Sequence, residues 1–455
     1  MKYLHILKTI FVFLLLNAPL MAQENWPQWR GPEMNGTSPA KGLPVSWSTT
    51  ENIIWKTALP SWSGSTPAIW GDTIFLISPS AADPESIKQN KEQQAKKKSN
   101  RRRRRGGPAR HPGGQDLLLL AISTKDGSII WQKKMDEGNR IWRKHNNTSP
   151  SPVTNGKGVW AVTGTGVVSK HAMDGTLKWQ HDLQKEYGEF GINWGYAASP
   201  RLYKNMLIVA VLHGYKTDDP SYILAFDIET GNVLWRQERP TDARVESPDA
   251  YTTPAILEHD GQTQIVITGG DYVTGHALKT GAELWRAGGL NPDKKRFFRI
   301  VASPVISGDM IYAPTRKKPL LALRAGGSGD ISKSHLVWKW EGPAATDVPT
   351  PICDGTNFYM VDDKGFVICL DAKTGTVIWG PERTEKGTVS ASPVMADNKI
   401  YITNEKGTTT VLAAGPKFKH IATNELDGSY TLSSPAIAGG KLYIRTASHL
   451  YCIGQ

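Results

Sequence analysis

Ten residues between positions 145 and 299 carry side chains that could bind or activate a small polar molecule. Two are histidines, whose imidazole can act as an acid, a base or a metal ligand near neutral pH. The others combine carboxylates, cations, an amide and aromatic rings, a mixture typical of concave sites for polar ligands. The ten candidates are His145, Asn147, Trp194, Tyr196, His213, Arg244, Glu246, Asp249, Tyr251 and Arg299.

No catalytic or metal-binding motif accompanies these candidates. The chain has no His-x-x-x-His spacing, no carboxylate pair in a recognisable context and no nucleophile elbow. Its three cysteines, Cys353, Cys369 and Cys452, are odd in number and lack metal-type spacing, so we interpret them as buried thiols. The sequence therefore assigns no catalytic residue and no metal ligand, and it gives hydrolase and metalloenzyme functions no specific support.

The elements that would position the candidates follow from an internal repeat. An apolar strand, a turn with glycine and a second strand ending on tryptophan recur at 225–235, 277–285 and 370–379, with weaker copies ending at Trp131, Trp179 and Trp338. Glycine supplies the positive φ of a tight hairpin turn. We interpret the tryptophans as filling the gap between adjacent units, and Asp227 and Asp371 as closing turns rather than as catalytic acids.

A second repeated pattern, Ser or Thr followed by Pro, recurs along the chain together with the glycine–tryptophan repeat. Its eight copies are at Pro67, Pro152, Pro200, Pro254, Pro304, Pro351, Pro393 and Pro435. Most are separated by about 42 to 54 residues, the length of a four-stranded propeller blade, whereas helical repeats are shorter. The sequence therefore predicts eight blades.

The last repeat ends at Gln455 after only three predicted strands. A strand over 52–56 precedes the first blade and can supply the missing fourth, which would cover edges that otherwise invite aggregation. We therefore predict an all-β fold, an eight-bladed β-propeller of four-stranded antiparallel blades over 51–455, in which the N-terminal strand closes the last blade.

This fold predicts where a site would lie. Residues that precede the innermost strand of each blade should surround the mouth of the central channel. The fourth residue before each Ser or Thr gives the ring Trp62, Asn147, Gly195, Asp249, Arg299, Thr346, Thr388 and Tyr430, with Tyr196, Tyr251 and Asp347 as neighbours. Asp249 and Arg299 would then lie side by side on adjacent blades. A small-ligand site and a hydrated channel that holds only water both remain open.

The N-terminus has the pattern of a secretory signal peptide over 1–22, with Lys2 and Lys8 before an apolar run and a small-residue cleavage site before Gln23. We expect a periplasmic or secreted protein without a transmembrane segment once this peptide is removed. Residues 23–50, with Trp26, Trp29 and Trp47, are expected to pack along the outside of the propeller.

An insertion at about 79–115 is expected to be disordered, because it has almost no large apolar residues. Residues 84–115 hold eleven Lys and Arg against two Glu, a net of +9, and Lys2 and Lys8 leave with the signal peptide. Only about +1 of the formal +12 belongs to the folded body. We therefore do not expect nucleic acid as a partner; the basic loop 84–115 could contact an anionic surface, or it is a solvated insertion with no partner.

The segment Ala225–Trp235 resembles the tryptophan-docking motif of pyrroloquinoline-quinone-like (PQQ-like) propeller repeats. That family includes quinone-dependent alcohol dehydrogenases, the propeller lipoprotein of the outer-membrane protein assembly machine, and secreted bacterial proteins without an established activity. The segments 25–32 and 194–200 are most similar to the last group.

The chain departs from the two better-understood branches. The dehydrogenases typically carry adjacent cysteines and a calcium-ligand set with a catalytic aspartate, none of which can be matched here, so PQQ has no support as a cofactor beyond the fold. The assembly lipoprotein needs a lipidated cysteine, which is absent at the predicted cleavage site. The sequence therefore favours a binding or scaffold module for a small polar ligand, a polysaccharide or a protein at the channel mouth. A quinone-dependent oxidoreductase and a polysaccharide-active enzyme are the alternatives.

Overall fold

Short apolar strands joined by tight turns pair most readily with their neighbours along the chain, and such pairs are antiparallel. In the computed structural model, which describes residues 25–99 and 111–454, these strands build eight four-stranded blades around a central channel. The predicted all-β eight-bladed propeller is confirmed.

Strand β1 (Ile53–Ala58) precedes the first blade. Blades 1 and 2 contain β2 (Ala68–Trp70), β3 (Thr73–Pro79), α1 (Pro84–Ser99), β4 (Asp116–Ser123), β5 (Ile129–Glu137), the hairpin β6 (Ile141–Trp142) and β7 (His145–Asn146), β8 (Val153–Thr154), β9 (Gly158–Val162), β10 (Val167–Ala172), β11 (Leu177–Asp182) and α2 (Leu183–Tyr187). Blades 3 and 4 contain β12 (Arg201–Tyr203), β13 (Met206–Val211), β14 (Tyr222–Asp227), β15 (Val233–Glu238), β16 (Ala255–His259), β17 (Gln262–Gly269), β18 (Tyr272–Ala277) and β19 (Glu283–Ala287).

The chain segment that forms blades 5 and 6 contains β20 (Val305–Ser307), β21 (Met310–Ala313), β22 (Leu320–Arg324), β23 (Gly329–Asp330), β24 (Leu336–Trp340), β25 (Ile352–Cys353), β26 (Asn357–Val361), β27 (Phe366–Asp371) and β28 (Val377–Arg383). Blades 7 and 8 contain β29 (Val394–Ala396), β30 (Lys399–Thr403), β31 (Thr409–Ala413), β32 (His420–Asn424), β33 (Ala436–Ala438), β34 (Lys441–Arg445) and β35 (His449–Ile453). The short strand β23 adds to blade 4 by pairing parallel to β19.

Strand β1 closes the circle. It pairs antiparallel with β35, placing Lys56 opposite Tyr451 and Ala58 opposite His449. Trp55 of β1 then reaches blade 1, where its indole Nε1 donates to the carbonyl of Thr124 at 3.0 Å. The predicted closure of the last blade by the N-terminal strand is confirmed.

Tryptophans on outer strands join six of the eight blades to the next blade. Trp179 illustrates the contact: its Nε1 donates to the Ile228 carbonyl at 3.2 Å, and its ring lies on Gly231, where an added Cβ would come within 2.7 Å of the indole. Asp227 closes that turn by accepting from the backbone amides of Glu229 and Thr230. The same indole-to-carbonyl bond is made by Trp55, Trp131, Trp235, Trp338 and Trp379.

The Ser/Thr-Pro marker has a structural explanation that the sequence did not reveal. The backbone amide of each marker Ser or Thr donates to the side-chain hydroxyl oxygen of the equivalent residue in the next blade, at 2.9 to 3.2 Å. The eight bonds run without a break through Thr66, Ser151, Ser199, Thr253, Ser303, Thr350, Ser392 and Ser434 and back to Thr66. We call this closed circle the hydroxyl ring.

The N-terminal segment and the basic insertion differ in part from what the sequence predicts. The first part of the N-terminal segment crosses the end of the channel: Trp26 bridges to Ile69 of β2, and the amide of Ser38 donates to the Met395 carbonyl of β29. Its later part packs on blade 7, where the amide of Trp47 donates to Oδ1 of Asn424. Within the insertion that was expected to be disordered, residues 84–99 form helix α1, whose Glu, Gln, Lys and Ala residues favour helix without needing a core. The arginine run 101–105 and the predicted signal peptide lie outside the described residues. No described helix is long and apolar enough to cross a membrane.

Candidate functional site

A cavity of about 380 Å³ lies in the central channel. In every blade, the residue that lies two positions before the hydroxyl-ring residue lines the wall of this cavity. Residues of the hydroxyl ring itself, such as Ser151 and Ser199, also line the cavity. The eight wall residues are Gly64, Ser149, Ala197, Tyr251, Val301, Val348, Ser390 and Leu432.

This register corrects the predicted one, which placed the lining four residues before the Ser or Thr. Of those eight residues only Arg299 lines the cavity. The chain turns away from the channel at that position, so that Asn147, Asp249 and Thr346 are at most 5% exposed and lie within the protein. The predicted neighbour Asp347 does line the cavity.

The floor of the cavity comes from the N-terminal segment. Trp29 lines the cavity, and its Nε1 donates to Oγ of Ser434 at 3.3 Å. The guanidinium of Arg30, 1% exposed, donates to the carbonyls of Pro393 at 2.6 Å and Pro351 at 2.7 Å, directly after the hydroxyl ring. Burial lowers the pKa of Arg30 to about 9, so this side chain remains a cation at neutral pH. The chain thus closes one end of its own channel.

The hairpin of β6 and β7 extends over the opposite end. All four residues from Trp142 to His145 line the cavity. Lys144 reaches blade 7, where its Nζ lies 2.9 Å from Oε1 of Glu405 and 3.1 Å from Oγ of Ser390. The Tyr430 hydroxyl, from the segment leading to blade 8, donates to the Lys144 carbonyl at 3.1 Å. The tip of the hairpin is therefore fixed through both the side chain and the backbone of Lys144.

One side of the cavity is aromatic, with Trp142, Trp194, Tyr251 and His145. The Tyr251 hydroxyl accepts from the backbone amide of Trp194 at 3.3 Å, and the rings of His145 and Tyr251 meet edge to face. Burial lowers the pKa of His145 to about 4, so its imidazole is neutral at physiological pH. Its Nε2 is buried without a hydrogen-bond partner among the described residues. We call these four residues the aromatic wall.

Three predicted site residues stand behind the aromatic wall and hold it. Oε1 of Glu246 accepts from Trp194 Nε1 at 2.8 Å, and Oδ1 of Asn147 accepts from Trp142 Nε1 at 2.6 Å. The carboxylate of Asp249, 0% exposed, accepts the backbone amide next to Trp194, that of Asn193, at 2.7 Å. Burial raises the pKa of Asp249 to about 7. These residues fix the tryptophans instead of facing the cavity.

The other side of the cavity is charged. Arg299 and Arg316 from blade 5 share the carboxylate of Asp347, with Oδ2 at 3.5 Å from Arg299 Nη2 and 3.9 Å from Arg316 Nε. Asp363 lines the cavity beside them, and burial raises its pKa to about 6, with the neighbouring Asp347 as a second cause. Burial also raises the pKa of Asp347, whose Oδ1 has no hydrogen-bond partner among the described residues. These four residues are the charged wall.

The structure therefore separates the ten sequence candidates into two groups. His145, Trp194, Tyr251 and Arg299 line the cavity. The other six do not: Asn147, Tyr196, His213, Arg244, Glu246 and Asp249. The expected pair of Asp249 with Arg299 is not formed, because Asp249 binds backbone amides and Arg299 lies beside Asp347.

Two of the six are internal packing residues. His213 is 2% exposed; its Nδ1 accepts from the Gly191 amide, its Nε2 donates to the Pro220 carbonyl, and burial lowers its pKa. A histidine held in this way is neutral and has neither nitrogen free for acid–base work. Tyr196, also 2% exposed, packs in the core of blades 2 and 3, and burial raises its pKa. Arg244 is exposed at the surface.

Sequence reasoning missed Trp142, Arg143, Lys144, Arg316 and Asp363. The first three adjoin His145, so the run of aromatic and basic residues just before a Ser-Pro marker was a signal that could have found them. Gly195 belongs to the same arrangement: its φ is +76°, and an added Cβ would lie 2.4 Å from the Trp142 ring. Arg316 and Asp363 lie in loops between second and third strands, and their position depends on the ring geometry.

The residues present do not fit a calcium–quinone pair. Within residues 25–99 and 111–454, no group of three or more His, Cys, Asp or Glu is placed to hold a metal ion. Cys353, Cys369 and Cys452 are free buried thiols, and burial raises the pKa of each.

The closed ring of blades and the tryptophan docking onto glycine turns define a PQQ-like β-propeller repeat protein. The chain belongs to the PQQ_2 family, described as "Outer membrane protein assembly factor BamB", whose model matches residues 115–381.

Individual relatives agree with this family. The outer membrane protein assembly factor BamB of Yersinia pestis is 22% identical over 345 residues, covering 73% of this chain and 78% of the relative. The crystal structure of BamB from Moraxella catarrhalis matches with a TM-score of 0.51 at 14% identity, over 75% of this chain and 95% of that chain. Quinohemoprotein alcohol dehydrogenase from Comamonas testosteroni matches with a TM-score of 0.62 at 10% identity, over 94% and 80%. At these identities the structural matches show a shared fold.

Proposed function

We propose that this chain is a periplasmic or secreted binding module whose central cavity holds a small polar ligand. The observation that carries the proposal is the cavity's construction: its floor is closed by Trp29 and its two walls differ in chemistry. A volume of about 380 Å³ falls in the range of small-molecule sites. The indole of Trp194 is fixed by the buried carboxylate of Glu246, so a ligand would meet a rigid aromatic side chain at little cost in ordering.

Calorimetric titration tests the proposal with a panel of monosaccharides, disaccharides and organic acids. The informative variant is Trp194→Leu, which removes an aromatic face from the cavity. Its matched control is Trp340→Leu on the outer strand β24, where the indole bonds only the Pro343 carbonyl. The proposal expects binding by the parent and the control and loss of binding in Trp194→Leu. Binding that survives Trp194→Leu, or no binding to any compound, would favour the hydrated channel.

The family description favours a second candidate, a scaffold that contacts a protein during outer membrane protein assembly. In this case the partner would sit on the rim around the channel mouth, and small ligands would not compete with it. Cross-linking from a cysteine placed at Arg244, which is exposed, separates the two functions. A protein adduct that forms equally well with the cavity variant Trp194→Leu supports the scaffold.

The basic segment 84–115 provides a further contact surface for an anionic polymer or membrane in this proposal. A variant lacking 84–110 should keep its melting temperature and lose retention on an anionic resin. Deletion through 115 is predicted to cost stability as well, because the carbonyls of His111 and Pro112 accept from Trp62 Nε1 and Asn139 Nδ2. Unchanged retention of the shorter deletion would remove this role.

A further inference from the structure

The two walls of the cavity lie on different blades and offer different interactions. The aromatic wall comes from the β6–β7 hairpin and from the segments before blades 3 and 4. The charged wall comes from blades 5 and 6. A ligand that fills the space between them must present an apolar or ring face to one wall and a charged group to the other.

The charged side chains that line the cavity are not equal in number. Lys144 is neutralised by Glu405 at 2.9 Å. Three guanidinium groups then line the cavity, against two carboxylates. The three cations are Arg143, Arg299 and Arg316, and the two anions are Asp347 and Asp363. With Lys144 paired, the cations that line the cavity therefore outnumber the lining anions by one even with both carboxylates ionised. The carboxylates of Glu246 and Asp249 lie behind the aromatic wall, and Arg30 lies at the floor.

Arg299 is the cation best placed to use that excess. Its side chain is 13% exposed, and its only polar contact among the described residues is Asp347 at 3.5 Å, which is long for a charge-assisted hydrogen bond. A guanidinium has five N–H donors in a planar fork, so most donors of Arg299 are available to a second acceptor. A partly buried guanidinium with spare donors selects a planar anion that can accept two of them.

The remaining surface suits hydroxyl groups. Ser151, Ser199, Ser392 and Ser434 of the hydroxyl ring line the cavity, whereas the hydroxyls of Ser149 and Ser390 already donate to Asn146 and Glu405. Each of these four ring oxygens accepts one backbone amide, which leaves its own O–H able to donate elsewhere. Trp194 and Tyr251 offer the apolar faces on which the C–H side of a sugar ring can pack.

We infer that the ligand is a hydroxylated carboxylic acid of monosaccharide to disaccharide size, with hexuronic acids as the chemical class. Its carboxylate accepts from Arg299, with Arg316 beside it; its ring packs against Trp194 and Tyr251; and its hydroxyls meet the serines below. The inference rests on the proposed binding function and names its ligand class. A neutral sugar of the same shape would leave the guanidinium donors of Arg299 unpaired, which lowers its affinity.

The test compares matched pairs of acid and neutral sugar by calorimetric titration: glucuronate with glucose, and galacturonate with galactose. The parent is measured beside Arg299→Gln, and Arg324→Gln is the control because Arg324 is exposed at the end of β22, away from the cavity. Arg316→Gln tests the same wall should Arg299→Gln fail to fold. The parent and the control should bind a uronate at least about tenfold more tightly than its neutral partner, the equivalent of about 1.4 kcal/mol.

In Arg299→Gln the preference for the acid should disappear. Equal or tighter binding of the neutral sugars by the parent would overturn the inference, as would a uronate affinity unchanged in both Arg299→Gln and Arg316→Gln. If the parent binds neutral sugars at least as tightly as uronates and Trp194→Leu abolishes that binding, the proposed function stands and this inference falls. If neither uronates nor neutral sugars bind, the inference falls, and the wider ligand panel decides the proposed function.

Discussion

The backbone amide of Ser434 in the segment entering blade 8 donates to Oγ1 of Thr66 at the entrance to blade 1, at 3.1 Å. This bond completes the hydroxyl ring across the point where the two ends of the propeller meet. It joins positions 368 residues apart in the sequence, at the same seam that β1 closes on the outer side of the last blade. The inner and outer circumferences of the propeller are therefore closed by different elements.

Thr66→Val should lower the free energy of unfolding by about 1 to 3 kcal/mol, because the buried amide of Ser434 loses its acceptor while the shape of the side chain is kept. Urea unfolding followed by tryptophan fluorescence measures the change. Thr66→Ser retains the hydroxyl and is the control. Equal midpoints for the Val and Ser variants would show that the hydroxyl ring contributes nothing at this seam.

Deleting 52–56 should destabilise the propeller far more than deleting five residues from helix α1, such as 89–93. The first deletion unpairs β35 and removes Trp55, whose replacement by Ala alone should cost about 3 to 5 kcal/mol. The second removes part of a helix that is not needed for ring closure. Circular dichroism melting compares the two proteins. Equal melting temperatures would contradict closure by the N-terminal strand.

Asp249→Ala and Arg299→Gln should differ in stability. The Asp249 carboxylate accepts two backbone amides, from Asn193 at 2.7 Å and Tyr215 at 3.0 Å. Loss of this carboxylate in Asp249→Ala should lower the free energy of unfolding by about 1 to 3 kcal/mol for each amide left unpaired. Arg299→Gln removes only one long contact and should change the free energy of unfolding by less than about 1 kcal/mol. Chemical unfolding of both variants measures this. A larger loss of stability in Arg299→Gln than in Asp249→Ala would contradict these roles, because Arg299 would then be the residue that supports the fold.

Sequence reasoning predicted the ring, its eight blades and its closure because each is specified by local patterns: glycine turns, tryptophan spacing and the Ser/Thr-Pro marker. To predict the site, one must also know which residue before each Ser/Thr-Pro marker faces the channel, and these patterns do not determine that. Asn147 and Asp249 were placed two residues too far from the ring, where the chain has already turned away from the channel. Trp29 was missed as the floor because its position depends on Arg30 reaching the carbonyls of Pro351 and Pro393.

Affinity for an acidic ligand should rise as the pH falls from about 7.5 to about 5.5. Burial raises the pKa of Asp363 to about 6, so this carboxyl gains a proton in that interval and its charge no longer opposes the bound anion. The groups that face it are Asp347, Asp362, Lys144 and the backbone amide of Val348. Burial also raises the pKa of Asp347, and it raises that of Asp249 to about 7, so Asp249 gains a proton in the same interval.

Asp363→Asn keeps an acceptor for the Val348 amide and removes the titration, so its affinity should depend less on pH over this interval. Titration calorimetry of parent and variant with glucuronate at several pH values measures the slopes. If glucuronate affinity rises with pH, or if it depends on pH equally in the parent and in Asp363→Asn, then Asp363 is not the group whose protonation controls binding.

The most direct measurement of the central claim is a crystal structure of the protein soaked with glucuronate at a concentration that saturates binding in solution. We predict one glucuronate molecule in the cavity above Trp29, with its ring against Trp194 and its carboxylate within hydrogen-bond distance of the Arg299 guanidinium. Ligand density confined to the outer surface of the blades, with only ordered water between Trp194 and Arg299, would contradict it.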